Sequence, residues 1–406
     1  MLNKDKIQGV DISINYCGLT LQSPYILASG PLSFSAEGMI KAHEYGVGAV
    51  VTKTIRMGRA INPVNHITKV SGGNTLLNCE KWADTDKELW CSREIPMAKE
   101  AGVTVIASVG HTLAEAKLIV KDVEEAGADM IELVSYEVET MLPMLEYTLK
   151  TVSVPVICKL GGGWSHHAEV AKKCIEMGAN GICAIDSIGP ALKIDIEKAS
   201  PELQSENGYG WLTGSAIRPF SVRINSEIAR ENPDFKGLYG TGGCMSVDDT
   251  IEFLMVGSNA VGVCSVGILN GIEYIERMCY GLSKRVAELG YESLDQVIGA
   301  ALPKFKNTEL ITRLDFNFTA HGTLDKDFKN KCIKCNKCVK VCSYDARVLE
   351  FPVMTVDSEL CRDCGVCVSV CPTASLTAEF ADQTETDISK ANESLEFYNI
   401  VARENM

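Results

Sequence analysis

Eight cysteines close to the end of the chain have the spacing of metal ligands. They form two copies of a C-x2-C-x2-C-x3-C pattern, which comprise Cys332, Cys335, Cys338 and Cys342, and then Cys361, Cys364, Cys367 and Cys371. This duplicated spacing is typical of two 4Fe-4S clusters, because three cysteines separated by two residues wrap one cluster on a tight loop and the fourth begins a helix toward the other cluster. The pattern therefore predicts two ligand sets: Cys332, Cys335, Cys338 and Cys371 for one cluster, and Cys361, Cys364, Cys367 and Cys342 for the other.

Structural zinc and a disulfide framework are the two alternatives for these cysteines. A structural zinc site usually needs only four thiolates, and a disulfide framework suits a small secreted chain. Eight cysteines in duplicated register exceed what either alternative requires, so we predict a small α+β domain of the bacterial two-cluster ferredoxin type over residues 321–380. Such a domain transfers single electrons, and another part of the chain should therefore produce or consume them.

The composition is that of a soluble chain whose partners are small molecules or proteins. With 406 residues and a formal net charge of -14, the chain has room for one large and one small domain and lacks the basic balance of a nucleic-acid-binding protein. No apolar stretch approaches the roughly 18 residues of a membrane span, and the first residues lack the pattern of a signal peptide. We therefore expect a cytoplasmic protein that binds neither nucleic acid nor membrane, with residues 381–406 as an acidic tail or docking helix.

Short runs rich in β-branched residues recur before residue 320, each flanked by a helical pattern. Eight of them are candidate strands, at residues 25–28, 49–52, 103–107, 130–134, 154–159, 181–185, 237–239 and 260–263. Five helix-to-strand junctions carry a glycine, which suits the left-handed residue that ends a helix: Gly46, Gly102, Gly127, Gly178 and Gly257. Eight strands with helices between them predict an α/β fold, a (β/α)8 TIM barrel over residues 1–320, in preference to an open doubly wound sheet.

The chemistry of such a barrel lies at the carboxyl ends of its strands. Lys53 follows strand two and Lys159 ends strand five, so both would point into one mouth. Small residues follow strands seven and eight, at 240–244 and 264–267, where backbone N–H groups could approach a phosphate; the alternative is that these glycines only make tight turns. A phosphorylated cofactor that exchanges hydride with a substrate and single electrons with iron–sulfur clusters is a flavin, and a single phosphate site favours FMN over FAD.

A nicotinamide site is a weaker alternative. The glycine-rich run 161–166 follows strand five, but His166 stands where the dinucleotide fingerprint needs its third glycine. We therefore interpret this run as an active-site loop.

The sequence also matches a known family over most of residues 10–375. The matching runs are Leu27-Ala28-Ser29, Thr52-Lys53-Thr54, Leu77-Asn78-Cys79-Glu80, Gly214-Ser215-Ala216-Ile217-Arg218-Pro219, Thr241-Gly242-Gly243, Cys264-Ser265 and Glu292-Ser293-Leu294. In these runs the chain resembles the dihydropyrimidine dehydrogenase and dihydroorotate dehydrogenase family, in particular the FMN-plus-ferredoxin subunit of the former.

The resemblance implies a role for each matching residue. The residues that would line the flavin are Ala28, Ser29, Lys53, Thr54 and Gly214. Those that would hold its phosphate are Gly242, Gly243, Cys264 and Ser265. Lys159 would lie near flavin N1 and the C2 carbonyl, where a fixed cation stabilises negative charge, and Asn78 would face the substrate.

Two substrate-facing positions depart from the family pattern. After strand four the family has an Asn-x-Ser-Cys-Pro run, whose asparagine binds the substrate and whose cysteine or serine exchanges a proton. Here Val134 replaces the asparagine and no cysteine follows, while after strand six Asp186, next to Ser187, replaces a second asparagine. Loss of two amide partners removes on the order of several kcal/mol of discrimination, so we expect the family scaffold with a different substrate pocket that includes Asp186 and Ser187.

The residue that exchanges the proton therefore remains open. Tyr136 and Glu137 follow strand four, and His166 and His167 follow the glycine run, so that all four are candidates beside Lys159 for a catalytic role. Each has a structural alternative: Tyr136 packs against a helix, Glu137 is solvated, and the histidines cap the next helix.

We predict a flavin-dependent oxidoreductase that acts on a C–C bond next to a carbonyl in a small planar molecule and exchanges electrons through two clusters with a partner protein. The partner would be an NAD(P)H-oxidising flavoprotein or a ferredoxin, and the chain would form a homo- or hetero-oligomer. Two alternatives stay open, an electron-transfer subunit without an organic substrate and a true dihydropyrimidine dehydrogenase that is NAD-linked through a partner subunit. Six lysines near the first four cysteines would offset cluster charge, dock an acidic partner or simply be solvated: Lys326, Lys329, Lys331, Lys334, Lys337 and Lys340.

Overall fold

The chain folds into two compact units, residues Met1–Phe305 and Lys306–Met406. The computed structural model describes residues 2, 7–70, 73–305, 318–324, 327–362 and 364–380. The predicted domain boundary after residue 320 lies further along the chain than this division, and the predicted tail at 381–406 lies outside the described residues.

Eight parallel strands of the first unit form a closed barrel, as predicted. They are β1 (Tyr25–Leu27), β2 (Ala49–Val51), β3 (Val105–Gly110), β4 (Met130–Val134), β5 (Val156–Lys159), β6 (Gly181–Ala184), β7 (Leu238–Gly240) and β8 (Ala260–Val263). Each strand pairs with the next along the chain, and β8 pairs with β1 to close the barrel. The strands lie where the sequence predicts them, although β3 and β5 each start two residues later, at Val105 and Val156, and β3 runs on to Gly110.

A helix follows each barrel strand. These helices are α1 (Ala36–Glu44), α2 (Ile95–Glu100), α3 (Leu113–Glu125), α4 (Val138–Thr151), α5 (His167–Glu176), α6 (Arg218–Glu231), α7 (Val247–Met255) and α8 (Tyr274–Glu288). The hydroxyl oxygens of Ser35, Thr112 and Ser246 accept hydrogen bonds from backbone N–H groups in the first turns of α1, α3 and α7, which fixes where these helices begin. The five junction glycines all have positive φ angles, between 83° and 108°, so they end their helices as the sequence predicts.

The amino end of the barrel is closed by apolar side chains. An antiparallel hairpin of strands Ile14–Tyr16 and Leu19–Leu21 packs Tyr16 against Tyr239 inside the barrel, at a ring distance of 6.4 Å. Met130 and Ile157 belong to the same buried cluster. The opposite end, where the strands finish, is therefore the end that is open to a ligand.

A second sheet, which the sequence did not predict, lies beside the open end. It is antiparallel and contains, in spatial order, the strands Ile188–Leu192, Tyr209–Gly214, Thr75–Asn78 and Ile67–Val70. These strands come from the segments after β2 and β6, so the sheet brings together chain positions more than a hundred residues apart. The remaining elements of this unit are the strand pair Ile194–Asp195 and Ser200–Pro201, the helices Lys87–Leu89, Ser265–Asn270 and Leu294–Val297, the π-helical turn Trp90–Glu94, and the 3-10 turns Pro31–Ser33, Ser215–Ile217 and Leu302–Lys304.

The second unit has the predicted α+β ferredoxin-like architecture. Strand Phe318–Leu324 pairs with Leu376–Phe380, and Arg347–Glu350 pairs with Val353–Val356, both antiparallel. Its short helices are Phe328–Lys331, Lys337–Lys340 and Val366–Ser369. Its core contains Phe328, Met354, Cys367 and Leu376.

None of the helices in the described part of either unit combines the length and the apolar character needed to cross a bilayer.

Candidate functional site

A cavity of about 1070 Å³ opens at the carboxyl ends of the barrel strands. It is lined by all the barrel residues that the sequence assigns to the site, with the exception of His166 and His167: Ala28, Ser29, Lys53, Thr54, Asn78, Tyr136, Glu137, Lys159, Asp186, Ser187, Gly214, Gly242, Gly243, Cys264 and Ser265. The antiparallel sheet supplies Asn78, whose amide nitrogen donates a hydrogen bond to the carbonyl oxygen of Trp211 at 3.1 Å. The barrel and the added sheet together thus form one cavity.

Lys53 is held in the cavity wall by an ion pair. Its Nζ lies 2.7 Å from Oε2 of Glu80, and the two side chains are only 8% and 4% exposed. A buried ammonium group needs such a partner, because removal from water penalises an unpaired charge. The other carboxylate oxygen of Glu80, Oε1, has no hydrogen bond within the described residues and lies 3.8 Å from Nε2 of His66.

Lys159 at the end of β5 forms a second ion pair in the cavity. Its Nζ lies 3.3 Å from Oδ1 of Asp186, whose side chain is 37% exposed. Burial acts to lower the pKa of Lys159, but the surrounding negative charges, of which Asp186 contributes most, together outweigh burial and the pKa is raised. Burial acts to raise the pKa of Asp186, but Lys159 and the backbone N–H of Ser187 outweigh it and the pKa is lowered. Both groups therefore carry their charges at neutral pH.

A further carboxyl group lies beneath this pair, inside the barrel. Glu132 is in the middle of β4, is 1% exposed, and has one oxygen, Oε1, with no hydrogen-bond partner in the described part of the chain. Its neighbours Ile131 and Leu133 pack outward into the core that the helices cover, so Glu132 faces the barrel interior. Burial raises the pKa of Glu132 above its ordinary value, although the charge of Lys159 acts in the opposite direction.

Aromatic rings surround the mouth of the cavity. The rings of His111 and Tyr136 meet edge to face at 4.3 Å, and those of His111 and Trp82 at 6.3 Å. The indole N–H of Trp164 donates a hydrogen bond of 2.8 Å to the carbonyl oxygen of Tyr136, so the loops after β4 and β5 are joined. Burial, followed by the charge of Arg56, lowers the pKa of His111 to about 4, so its imidazole is neutral at physiological pH.

Arg56 contacts one of these rings and links two loops of the cavity mouth. Its guanidinium lies 4.3 Å from the centre of the Trp82 ring, a cation–π contact. The same guanidinium donates two hydrogen bonds, of 2.7 and 3.0 Å, to the carboxylate of Glu115. Glu115 also accepts the backbone N–H of His111 at 2.8 Å, and therefore ties the loop after β3 to the loop after β2.

Two left-handed glycines follow β7. Gly242 and Gly243 have φ angles of 104° and 105°, and a Cβ atom on Gly243 would lie 2.6 Å from Cβ of Arg218. Within the described chain the N–H groups of both glycines donate no hydrogen bond. Beside them the hydroxyl groups of Thr213 and Ser265 are hydrogen bonded to each other. Consecutive free N–H groups on such a turn form a concave site for an anion.

The four candidates for proton exchange have different positions. Tyr136, with a 65% exposed side chain, and Glu137, at the start of α4, both line the cavity. His166 does not line it: the residue has a left-handed φ of 58° where α5 begins, and its Nδ1 lies 3.6 Å from Glu169 on the exposed face of that helix. His167 is buried, and its Nε2 lies 2.8 Å from the carbonyl oxygen of Gly161, so this ring fixes the glycine loop.

The structure adds cavity residues that the sequence did not assign to the site. Glu80 lies in a run that carries the family resemblance. Glu132 lies inside the barrel and outside the cavity lining, and a charged residue in the middle of a barrel strand is itself a signal of a polar interior. Trp82 had no local signal, because it lies in a loop whose course depends on the rest of the fold. His111 directly follows β3, but the predicted strand ended at residue 107, so the sequence did not place His111 at the mouth.

In the second unit, the cysteines that the spacing assigns to one cluster line the same cavity. A cavity of about 20 Å³ is lined by Cys332, Cys335, Cys338 and Cys371. The backbone N–H of Ser375 donates to the sulfur of Cys371 at 3.2 Å, and the pKa of Cys371 is lowered because such bonds outweigh its burial. Across the described residues, no three side chains of the types Cys, His, Asp or Glu are gathered closely enough to hold a metal ion.

Comparison with known proteins identifies both parts of the chain. Residues 11–286 match the dihydroorotate dehydrogenase family, and residues 331–375 match the 4Fe-4S dicluster domain. The chain is 30% identical over 306 residues to the catalytic subunit of dihydroorotate dehydrogenase B (NAD(+)) from Methanothermobacter thermautotrophicus, covering 71% of this chain and 98% of that protein. It is 26% identical over 362 residues to the NAD-dependent dihydropyrimidine dehydrogenase subunit PreA of Escherichia coli K12, covering 82% of this chain and 86% of that subunit.

Proposed function

Since this chain belongs to the dihydroorotate dehydrogenase family, we propose that it is an FMN- and iron–sulfur-dependent oxidoreductase that acts on a C–C bond next to a carbonyl in a small planar molecule. The observation that carries the proposal is the single cavity in which two buried lysines, the Gly242–Gly243 turn and the carboxylate of Asp186 meet. Its electrons would pass through two 4Fe-4S clusters in the second unit to or from a redox partner protein in the cytoplasm.

The residues of the cavity fit FMN. The free N–H groups of Gly242 and Gly243, with the hydroxyl of Ser265, supply hydrogen-bond donors for one phosphate group. A side chain on Gly243 would clash with Arg218, so only glycine leaves that turn open to an anion. When bound, FMN supplies hydride exchange with the substrate and single-electron exchange with the clusters.

Lys159 provides the fixed positive charge that such a cofactor uses. Its raised pKa keeps it charged, and its position at the end of β5 directs the charge into the cavity. Lys53, which is paired with Glu80, lies with Ala28, Ser29 and Thr54 along the same wall. A preorganised cation in a partly dry site stabilises developing negative charge more strongly than it would in water.

Tyr136 and Glu137 are the candidates for moving the proton, because both line the cavity beyond β4. The hydrogen bond from Trp164 holds the backbone at Tyr136, which fixes the start of this loop. Asp186 accepts hydrogen bonds but cannot donate them when ionised, so it would bind a substrate that presents an N–H group or a positive charge, with Asn78 and Ser187 as further polar contacts.

A true dihydropyrimidine dehydrogenase, NAD-linked through a partner subunit in a hetero-oligomer, is the second candidate. The similarity to subunit PreA over 82% of the chain favours it. Val134 and Asp186 oppose it, since both stand where the resemblance requires asparagines that clamp a uracil-like ring.

Anaerobic purification tests the cofactors, and a substrate screen tests the activity. We expect FMN equimolar with protein, together with roughly eight iron and eight labile sulfide per chain. Small unsaturated amides and acids should then be screened for reoxidation of the reduced protein, with uracil as the reference. A ligand-dependent change in flavin absorbance is the expected result, and its absence across the screen would favour a pure electron-transfer subunit.

Two variants then separate the proton candidates. Tyr136→Phe keeps the ring contact with His111 and removes only the hydroxyl, while Glu137→Gln keeps the size of the side chain and removes its charge. The variant of the residue that exchanges the proton should lower kcat by roughly 10²- to 10⁴-fold. The variant of the other residue should keep kcat within a few-fold of the unmodified protein. If both variants keep full turnover, neither residue exchanges the proton.

A further inference from the structure

Five exposed lysines surround the first cysteine motif of the second unit. They are Lys329, Lys331, Lys334, Lys337 and Lys340. Each lies within three residues along the chain of Cys332, Cys335 or Cys338. Against them, residues 327–342 contain a single acidic residue, Asp327, so this segment has a net charge of +4 in a chain whose net charge is -14. We call residues 327–342 the lysine-rich segment.

Apolar groups lie exposed among these lysines. The side chain of Ile333, between Cys332 and Lys334, is 63% exposed. The Nζ of Lys334 lies 4.1 Å from the centre of the Phe351 ring, which is itself 37% exposed. An apolar centre with a charged rim is the usual composition of a protein–protein interface. Cys335, one of the predicted cluster ligands, is also exposed on this segment.

Compensation of cluster charge does not explain the lysines, because the second motif lacks them. Around Cys361–Cys371 the sequence has one basic residue, Arg362, against the acidic Asp357, Glu359 and Asp363. Two clusters of one kind carry similar charge and would need similar compensation. In addition, Lys329, Lys334, Lys337 and Lys340 form no ion pair with any described residue, so their charges are available to another molecule.

We propose that the lysine-rich segment is the docking surface for an acidic electron-transfer protein, which exchanges electrons with the cluster predicted on Cys332, Cys335, Cys338 and Cys371. This inference rests on the proposed function and gives the chemical character of its partner. Each docking event passes one electron, so that the partner is oxidised as the cluster is reduced, or the reverse, and no bond forms or breaks. Two such events match one two-electron turnover.

The kinetic effect of this surface follows from its charge. Complementary charge raises association rates by about 10- to 10³-fold at low ionic strength. The effect fades as added salt shortens the screening length from about 30 Å at 0.01 M to about 8 Å at 0.15 M. The rate of electron transfer from an acidic protein should therefore fall with salt, whereas the rate with a small uncharged reductant should not.

The test uses the full-length, cluster-loaded protein under anaerobic conditions and a reduced, acidic 2Fe-2S ferredoxin as the probe. Stopped-flow absorbance gives the second-order rate constant for reduction of the clusters at low and at high salt. The test variant is Lys334→Glu/Lys337→Glu/Lys340→Glu. The matched control is Lys172→Glu/Lys173→Glu/Lys236→Glu, which makes the same charge change at exposed lysines of the barrel unit.

We expect the test variant to lose at least ten-fold in rate constant at low salt and most of its salt dependence, while the control stays within two-fold of the unmodified protein. Electron paramagnetic resonance of the chemically reduced clusters should be the same in all three proteins, which shows that the variant still assembles its clusters. A third variant, Lys334→Gln/Lys337→Gln/Lys340→Gln, should have an intermediate rate constant and unchanged cluster potentials.

Several outcomes would overturn the inference. Equal rate constants in the test variant and the control would show that the lysines do not dock the probe. Shifted cluster potentials with an unchanged rate constant in the glutamine variant would show that the lysines only compensate cluster charge. Tighter binding of duplex DNA or anionic vesicles than of the acidic ferredoxin would assign the segment to another partner. An absence of cluster signals in the unmodified protein would instead refute the proposed function, together with this inference.

Discussion

Replacing Asp186 with asparagine should move two properties of the site in opposite directions. The change removes a negative charge that lies 3.3 Å from Nζ of Lys159 and turns an obligate acceptor into an amide that both donates and accepts. Turnover of a substrate that presents an N–H group or a cation to Asp186 should fall. The flavin should become easier to reduce, because the cavity loses one negative charge.

The magnitudes follow from the kind of contact and its exposure. A hydrogen bond to a charged group contributes about 1.5 to 3 kcal/mol, which corresponds to a loss of roughly 10- to 150-fold in kcat/KM. The effect on the flavin is smaller, because the Asp186 side chain is 37% exposed and water screens its charge. About 1 kcal/mol of altered electrostatic energy would raise a two-electron midpoint potential by about 20 mV.

Two assays on the same preparations measure these effects. Steady-state kinetics with the substrate from the screen gives kcat/KM, and anaerobic titration against a reference dye gives the flavin potential. Glu169→Gln is the matched control, since it removes one carboxylate whose side chain is 71% exposed on α5 and lies outside the cavity. An unchanged kcat/KM would show that Asp186 does not contact the substrate. A lowered potential would show that our assignment of the Lys159–Asp186 pair to the cofactor is wrong.

Three further predictions follow from the same geometry. Lys159→Met removes the cation and roughly keeps the volume of the side chain. We expect the rate of flavin reduction, measured by stopped flow, to fall about 10²-fold with any reductant, and the flavin potential to be lowered. An unchanged rate would show that Lys159 does not belong to the cofactor site. NADH alone should reduce the flavin slowly, and a flavoprotein reductase or a ferredoxin should restore fast reduction. Rapid bleaching of the flavin by NADH alone would show that no partner protein is needed. The pKa of buried Glu132 is raised, so its stabilising, protonated form is fully present below the ordinary pKa of glutamic acid and is lost as the pH rises through the raised value. Glu132→Gln should therefore match the unmodified protein in thermal stability at low pH and exceed it at high pH. Lower stability of the variant at every pH would indicate an ionised Glu132 that pairs with Lys159.

The barrel could be predicted from the sequence because its signals are local. A short β-branched run, a helical pattern and a junction glycine such as Gly127 recur along the chain, and each repeat describes one unit of the barrel. The antiparallel sheet could not be predicted in this way. Its central pair joins Thr75–Asn78 to Tyr209–Gly214, and no short window of sequence contains both strands.

In the candidate site, too, some residues were predictable from the sequence around them, and others are placed there only by the three-dimensional fold. Lys53, Lys159 and Asp186 were predictable because each lies at or just beyond the carboxyl end of a barrel strand, where side chains point into one mouth. His166 was predicted for the site, together with His167, because they follow the glycine run after β5. The left-handed turn at His166 instead starts α5 and places the ring beside Glu169, outside the cavity. Only three-dimensional packing brings His111 against Tyr136.

The size and lining of the cavity bear on whether the chain has an organic substrate at all. A flavin that only passes electrons between proteins needs a shielded pocket of its own size. The cavity of about 1070 Å³ exceeds the usual range of about 300 to 1,000 Å³ for a single ligand pocket, and the rings of Trp82 and Trp164 line it. The Asp186 carboxylate, although paired with Lys159, is still 37% exposed there. Apolar rings together with partly exposed carboxylates suit a planar molecule with an N–H group, so we favour an enzyme with its own substrate over a subunit that only transfers electrons.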